Sequence, residues 1–460
     1  MHTDTQPNSG NRQSAFAIPN IRRYIAFKVL FNSRFYYPVF TILFLDFGLS
    51  VAQFSILNAV WAATIVLAEV PSGALADTIG RKRLLVFATL TMVVEVGLIA
   101  FVPAGNSTLV FWIFFINRVL SGLAEAAASG ADEALAYDAL KTYGDPTQWG
   151  RVLEVLTRYQ SVGFIIAMTL GAAIYDPALM STLAQGLGIG ITLTQETCMR
   201  FPLYGTLILG IGACIATMGM EEMSDRSSKD APEKTYHPHR LTEAFALTFK
   251  AGRWILSTPF VLGVILFGML FDSSIRMVIT LSSQYYRMIL LPESIFGIIG
   301  AGVAVLGFFI PALARKLAEN KPPEWGLYLT ASLTTLGLIS MNFFWTWFGI
   351  IPALITYSAM YFNGFFVSFY INRETPSAQR ATVLSFKGLS YNLAYGLYGI
   401  IYALVLKIEH QRLDTRFIDT AIDNLAFKES FFIFPTLFIL GFICLWVVSK
   451  SRLLRVLQQK

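Results

Sequence analysis

Charge is scarce in this chain. Only 14% of its residues are charged, against about 25% in an average soluble domain, while 55% are hydrophobic and the mean hydropathy is +0.57. That balance excludes an ordinary soluble protein and points to an integral membrane protein. The net charge of +6 is read as a topology signal rather than as a nucleic-acid footprint, so no nucleic-acid partner is expected. The three cysteines, Cys198, Cys214 and Cys444, have no metal spacing, and two lie in apolar runs, so no disulfide framework is expected. There are four histidines. His237 and His239 have no further ligands nearby and read as part of a solvated linker, leaving no metal site. No G-x-x-x-x-G-K-[ST] loop occurs, so ATP drive within this chain is not expected. The glycine pattern "GIIGAGVAVLG" (297–307) lies inside an apolar run with no strand before it, and is set aside as a nucleotide site. With no metal cluster and no assignable Ser/His/Asp set, neither an enzyme nor a cofactor is expected. The polar N-terminus lacks a short apolar core with a small-residue cleavage site, so no cleaved signal peptide is expected.

Long apolar runs are abundant. A membrane-crossing helix needs about 20 mostly apolar residues. Twelve candidates follow: 24–46, 51–72, 84–103, 109–131, 153–175, 201–220, 259–284, 294–314, 325–345, 348–371, 382–406 and 430–449. Basic residues cluster in alternate loops, for example Arg22/Arg23, Arg81–Arg83, Lys141/Arg151, Arg315/Lys316 and Arg373/Arg380. The positive-inside rule then places both termini in the cytoplasm, with the chain in the plasma membrane. The exceptions are Arg200, Arg287 and the last outer loop, with Lys407, Arg412, Arg416 and Lys428. The fold class expected is an all-α membrane protein, with about twelve helices in two six-helix pseudo-symmetric bundles. Its parts are a cytoplasmic tail (1–23), a first bundle (24–220), a linker (221–257), a second bundle (258–449) and a basic tail (450–460). Within the linker, 241–256 reads as an amphipathic helix on the inner surface. The halves echo each other weakly, with Arg151 and Arg380 each just before the next span, and internal duplication is common among transporters.

"GALADTIGRKRLL" (Gly73 to Leu85) joins the second and third runs. Gly73 and Ala76 suit a close approach of two helices, Gly80 a tight turn, and Arg81, Lys82 and Arg83 a cytoplasmic position. The stretch resembles the cytoplasmic loop motif of the major facilitator superfamily, G-x-L-a-D-r-x-G-r-k-x-x-l, departing from it at Thr78. Arg118, Gly122 and Ala126 resemble the family's R-x-x-x-G-x-x-x-A pattern, and Gly163 and Gly171 only loosely match its antiporter glycine motif. The resemblance implies the two-bundle fold, a monomer, a small-molecule substrate and a central cavity lined by spans one, four, seven and ten. It also implies that Asp77 is half of an inner gate facing the N-terminus of span eleven, with Gly73, Gly80, Arg81 and Lys82 shaping the switch. The alternative is an Asp77 that only caps the turn.

An ionisable residue at mid-membrane costs at least ~2.5–3.5 kcal/mol, so each needs a partner or water. Arg118, Gly122, Glu125, Ser129 and Asp132 step by three and four residues, which places them on one helical face. That stripe would line a water-filled path, or form a structural interface. Asp272 and Arg276, at i, i+4, can pair as a proton or substrate switch, or as a static ion pair. Arg34 is taken as the functional base of span one, because it points away from Lys28 and Asn32. Glu95 is read as a peripheral acid with a local hydrogen bond or a part in proton coupling. Glu154 and Arg158 read as a local pair. Tyr391, Tyr395, Tyr398 and Tyr402 share one face of span eleven above Lys387, and Tyr357 and Tyr361 do so in span ten, with Asn363 and Asn392 nearby. They would hold a cation or a ring, or simply pack. The function expected is secondary active transport, with Asp272, Glu125 and Arg118 as proton-coupling candidates. Arg34, Arg118, Arg276, Tyr357, Tyr361, Tyr391 and Tyr395 are the candidates for the substrate cavity. The solute would be small and amphipathic. Export is favoured, proton-coupled uptake of an organic anion is the alternative, and a non-transporting receptor or scaffold is the competing class.

Overall fold

The apolar runs fold as helices, because a backbone in hydrocarbon must satisfy its own hydrogen bonds. In the computed structural model, residues 14–103, 105–222, 252–375, 377–413 and 419–458 are described, and they contain no strand. The first bundle holds α1 (Pro19–Asn32), α2 (Phe40–Asp46), α3 (Val51–Ile79), α4 (Arg81–Ala100), α5 (Ser107–Ala128), α6 (Ala131–Tyr143), α7 (Trp149–Tyr175), α8 (Pro177–Gly186), α9 (Gln195–Cys198) and α10 (Phe201–Met218). The second holds α11 (Pro259–Thr280), α12 (Ser282–Met288), α13 (Phe296–Asn320), α14 (Pro323–Met341), α15 (Ile350–Glu374), α16 (Ser377–Leu413), α17 (Asp419–Ser430) and α18 (Ile433–Gln458). Among the described residues nine helices are long and apolar enough to cross a membrane, or ten if the α7–α8 pair is one bent span. The broken α1–α2 run and α14 complete the twelve runs read from the sequence.

Three expected spans differ in detail. Span one is not one helix: α1 stops at Asn32, and a short 3-10 turn, Tyr37–Val39, precedes α2. Pro38 lacks an N–H and disfavours helix at the residue before it, which breaks the run. Span four stops at Ala128, and Gly130, with φ +75°, turns the chain into α6. Span five bends by 83° into α8, within a stretch (177–194) that carries no charge. In addition, α16 continues to Leu413 and α18 runs on through the segment expected as a tail.

The bundles meet along α3 with α16 and α7 with α13. Both contacts use glycine: an added Cβ at Gly399 would lie 3.3 Å from the Ser55 carbonyl oxygen, and one at Gly297 would lie 2.1 Å from that of Met168. Arg200 and Arg287, which depart from the charge rule, both have partners. Arg200 donates to the carbonyls of Ala100 and Val102 at 2.8 and 2.9 Å, at the end of α4, where a cation complements the helix dipole. The amphipathic segment 241–256 lies outside the described residues up to position 251.

Candidate functional site: two charged clusters and a closed end

The break in span one builds the first cluster. Residues 33–36 have irregular backbone, tolerated at membrane depth only when protein covers it. The cover comes from α7 and α10. A Cβ at Gly171 would lie 1.8 Å from the Phe35 carbonyl oxygen, so only glycine fits there, and the Phe35 N–H donates to Thr206 Oγ1 at 3.0 Å. Gly163 likewise faces Ser33 and Val29. Both glycines of the loose antiporter motif thus receive a packing reason.

This backbone delivers Arg34 into the bundle, where it is 2% exposed. Its guanidinium donates to Glu95 Oε1 and Tyr36 OH, each at 2.8 Å, and to Glu125 Oε1 at 3.3 Å. Asn117 donates to the Glu95 carbonyl at 2.9 Å and to the Glu95 carboxylate. Asn117 Oδ1 in turn accepts from Arg118 Nε and an Arg118 Nη, at 3.0 and 2.8 Å. Arg118 completes its surroundings with the rings of Phe40 and Phe44, 5.3 and 5.4 Å from its Cζ. Two bases and two acids therefore form one chain, with Asn117 as the link. A buried charge is tolerable only when paired and hydrogen-bonded, and this arrangement meets that condition.

Several sequence expectations change here. Glu95 is not peripheral; it is fully buried at the centre of the cluster. The wheel that set Arg34 against Lys28 and Asn32 assumed an unbroken helix. Lys28 pairs with Asp132 instead, at a different site. The five-residue stripe of span four is not one continuous face. Gly122 packs on α3, where an added Cβ would meet Thr64 at 2.8 Å, Ser129 is exposed beyond the helix end, and Asp132 belongs to α6.

The second cluster lies between α11 and α16. Arg276 pairs with Asp272 at 2.9 Å, donates to Asn392 Oδ1 and the Tyr391 carbonyl at 3.0 Å each, and lies 4.2 Å over the Tyr395 ring. Tyr395 OH bonds Thr280 Oγ1 at 3.0 Å, and Lys387 Nζ lies 5.2 Å over the Tyr391 ring. The tyrosine face of α16 divides. Tyr391 and Tyr395 serve this cluster, while Tyr398 and Tyr402 pack on Phe434 in the core, with ring centroids 6.1 and 4.7 Å away. Tyr357 bonds Tyr286 OH at 3.1 Å, and Tyr361 packs against Gly307, so these two join neither cluster. Asn363 donates to the Gly268 carbonyl at 3.2 Å.

The third group joins the bundles. Arg287 donates to both oxygens of Asp46, at 2.8 and 2.9 Å, and to Glu293 Oε1 at 2.9 Å. Asp46 also accepts from Tyr175 OH and, at 2.9 Å, from Gln195 Nε2. Burial works against the Arg287 charge, but the bond to Asp46 together with the charges of Asp46 and Glu293 outweighs it and holds the guanidinium above its ordinary pKa. Asp176 caps α8 with one oxygen, and with the other accepts the Ser294 N–H at 3.2 Å across the interface. Ser283 Oγ accepts the N–H groups of Thr41 and Ile42 at 3.0 and 3.2 Å. None of these residues stood among the sequence candidates. The available signal was Arg287 itself, a basic residue on the wrong side of the charge rule.

At the opposite end, Gly80 adopts φ +101° between α3 and α4. The N–H groups of Arg81 and Lys82 donate to the Glu222 carboxylate at 3.1 and 2.9 Å, and the Arg81 side chain pairs with Asp138. Gly73 does not sit at a close helix approach here: no atom lies within 4 Å of an added Cβ. The side chains of Asp77 and Arg380 lie outside the described residues. Glu154 and Arg158 form their expected pair at 2.6 Å, well exposed.

No curated protein matches the chain in sequence. Among solved structures, the chain is similar to a bacterial homolog of the human lysosomal transporter Spinster in an inward-facing, unoccupied conformation (15% identity, 96% of this chain and 98% of that chain, TM-score 0.66). It is also similar to the nucleoside transporter NupG (14% identity, 95% and 99%, TM-score 0.66) and to a D-xylose-proton symporter (14%, 94% and 97%, TM-score 0.63). Identities this low speak for the fold alone. The sequence model of the Major Facilitator Superfamily matches residues 25–405. The chain, with its multi-pass helical fold, therefore belongs to the major facilitator superfamily, whose members are transporters and not enzymes.

Proposed function

We propose that this protein is a proton-coupled secondary transporter of a small organic solute, working by alternating access between its two bundles. The observation that carries this reading is the separation of roles. One end is latched across the interface by Asp46, Arg287, Asp176 and Ser294, while charged clusters stand inside each bundle away from that latch. With Arg81–Arg83 in the cytoplasm and both termini on that side, the latched end faces outward in an inner membrane. The cargo then reaches the clusters from the cytoplasmic side in this conformation, and breaking the latch exposes them outward.

Within the first cluster, Glu125 is the exchangeable acid. Its side chain is 32% exposed and its bond to Arg34 is the longer one, 3.3 Å against 2.8 Å for the fully buried Glu95. A proton on Glu125 would release one of the two acids that share Arg34, leaving the Arg34–Glu95 pair intact. Asp272, bonded to Arg276, is the corresponding acid of the second bundle. Reconstituted proteoliposomes with a trapped pH-sensitive dye test the reading. Solute added to wild-type vesicles should move protons, and Glu125→Gln should abolish that movement while solute exchange without a gradient persists. Proton movement unchanged in Glu125→Gln would sink this assignment.

A further inference from the structure

We propose that Lys387, with Arg276 of α11 over the next tyrosine ring of the same α16 face, is the anchor for a single negative charge on the solute, so that the cargo is a small organic monoanion. This inference rests on the transporter reading and names the class of its substrate. It also moves the anion site away from Arg34 and Arg118, where the sequence alone places part of it.

Charge pairing carries the argument. In the first bundle Arg34 and Arg118 face Glu95 and Glu125, two bases against two acids, tied together through Asn117. An anion brought there meets a set that is already neutral and must displace a buried carboxylate. In the second cluster, among the described residues, the bases are Arg276 and Lys387 and the acid is Asp272. Asp272 contacts Arg276 at 2.9 Å. Lys387 has no carboxylate within 4.0 Å among the described residues; its ammonium rests on the Tyr391 ring at 5.2 Å and is partly exposed. One positive charge is left over beside the interface, and a partly desolvated charge attracts a counterion far more strongly than one in bulk water.

Geometry favours an organic anion over a bare ion. Arg276 lies over Tyr395 and Lys387 over Tyr391, four residues apart on one face of α16, about 6 Å along the axis. The two cations thus stand on successive rungs of an aromatic ladder. A carboxylate or sulfonate reaching Lys387 would lay its apolar body along these rings. Two further polar atoms, Arg276 Nε and the Tyr391 hydroxyl, are buried without hydrogen-bond partners, and such groups ordinarily have one.

The test uses the full chain in lipid nanodiscs and a panel of aromatic and aliphatic monocarboxylates, each paired with its neutral amide. The readout is the shift in melting temperature with ligand concentration. At least one acid should stabilise the wild type while its amide does not. Lys387→Gln should weaken that acid tenfold or more, and Lys387→Arg should retain it. Asp272→Asn, which removes the carboxylate paired with Arg276, should tighten it. Acids and amides acting alike across the panel, or an unchanged affinity in Lys387→Gln together with no tightening in Asp272→Asn, would overturn the proposal. Counterflow of the radiolabelled acid in proteoliposomes separates the two readings. Lysine-dependent binding without flux would defeat transport and keep the anchor, whereas flux that ignores Lys387 would do the reverse.

Discussion

Both bundles hold an arginine among acids and amides, yet the two sites differ in cover. The Arg34–Glu95 pair is sealed, with side chains 2% and 0% exposed, while Arg276 and Asp272 are 24% and 11% exposed. In the first, two bases balance two acids, with Arg118 held through Asn117 rather than directly by a carboxylate. In the second, the pair is less covered and, among the described residues, the bases outnumber the acid. A sealed, neutral cluster suits holding a broken helix in place and passing a single proton at its open edge. A partly wet, unbalanced cluster suits exchanging partners with a ligand.

The largest effect should come from breaking the sealed pair. Arg34→Gln leaves Glu95 buried without its cation and should cost about 3–5 kcal/mol of stability. Melting of purified protein checks it, and adding Glu95→Gln should restore much of the loss. A smaller loss is expected from Gly171→Ala, which drives a methyl group into the Phe35 carbonyl and should cost about 1–3 kcal/mol as an overpacking strain. Its diagnostic is loss of both stability and Glu125-dependent proton movement, because the same backbone delivers Arg34. Arg276→Gln should behave differently. With the pair less covered, the loss should be smaller, about 1–3 kcal/mol for a carboxylate left without its donor, and solute binding should fall more than stability does. Equal destabilisation by Arg34→Gln and Arg276→Gln would erase the contrast. The smallest effect belongs to the exposed Glu154–Arg158 pair, where Arg158→Ala should change stability by about 0–0.5 kcal/mol; denaturant titration sets that baseline.

What could be read from the chain alone follows a pattern. The i, i+4 pairs Asp272–Arg276 and Glu154–Arg158 were legible because helical spacing fixes such neighbours before any packing occurs. The Gly80 turn was legible for a similar reason, since only local backbone geometry is involved. Glu95 was placed at the periphery and Asn117 was passed over, because their meaning depends on where α4 and α5 lie against the broken span. The latch between the bundles was missed because its acids, Asp46 and Asp176, come from helix ends more than a hundred residues from Arg287 and Ser294. The tyrosine faces were read as units, yet packing against Phe434 removed half of the α16 face from the cavity side.

By itself, then, the sequence determined that the chain is a membrane protein of about twelve helices, which loops carry the basic charge, and which charges one helix turn apart pair up. Composition and short-range spacing decide these, through the cost of exposing polar groups to hydrocarbon. Only the tertiary structure decided that Arg34 meets Glu95, that Arg287 joins the bundles through Asp46, and that Lys387 stands more than 4.0 Å from every carboxylate among the described residues. Those outcomes depend on which helices become neighbours and where a proline breaks one, and neither periodicity nor hydropathy carries that information.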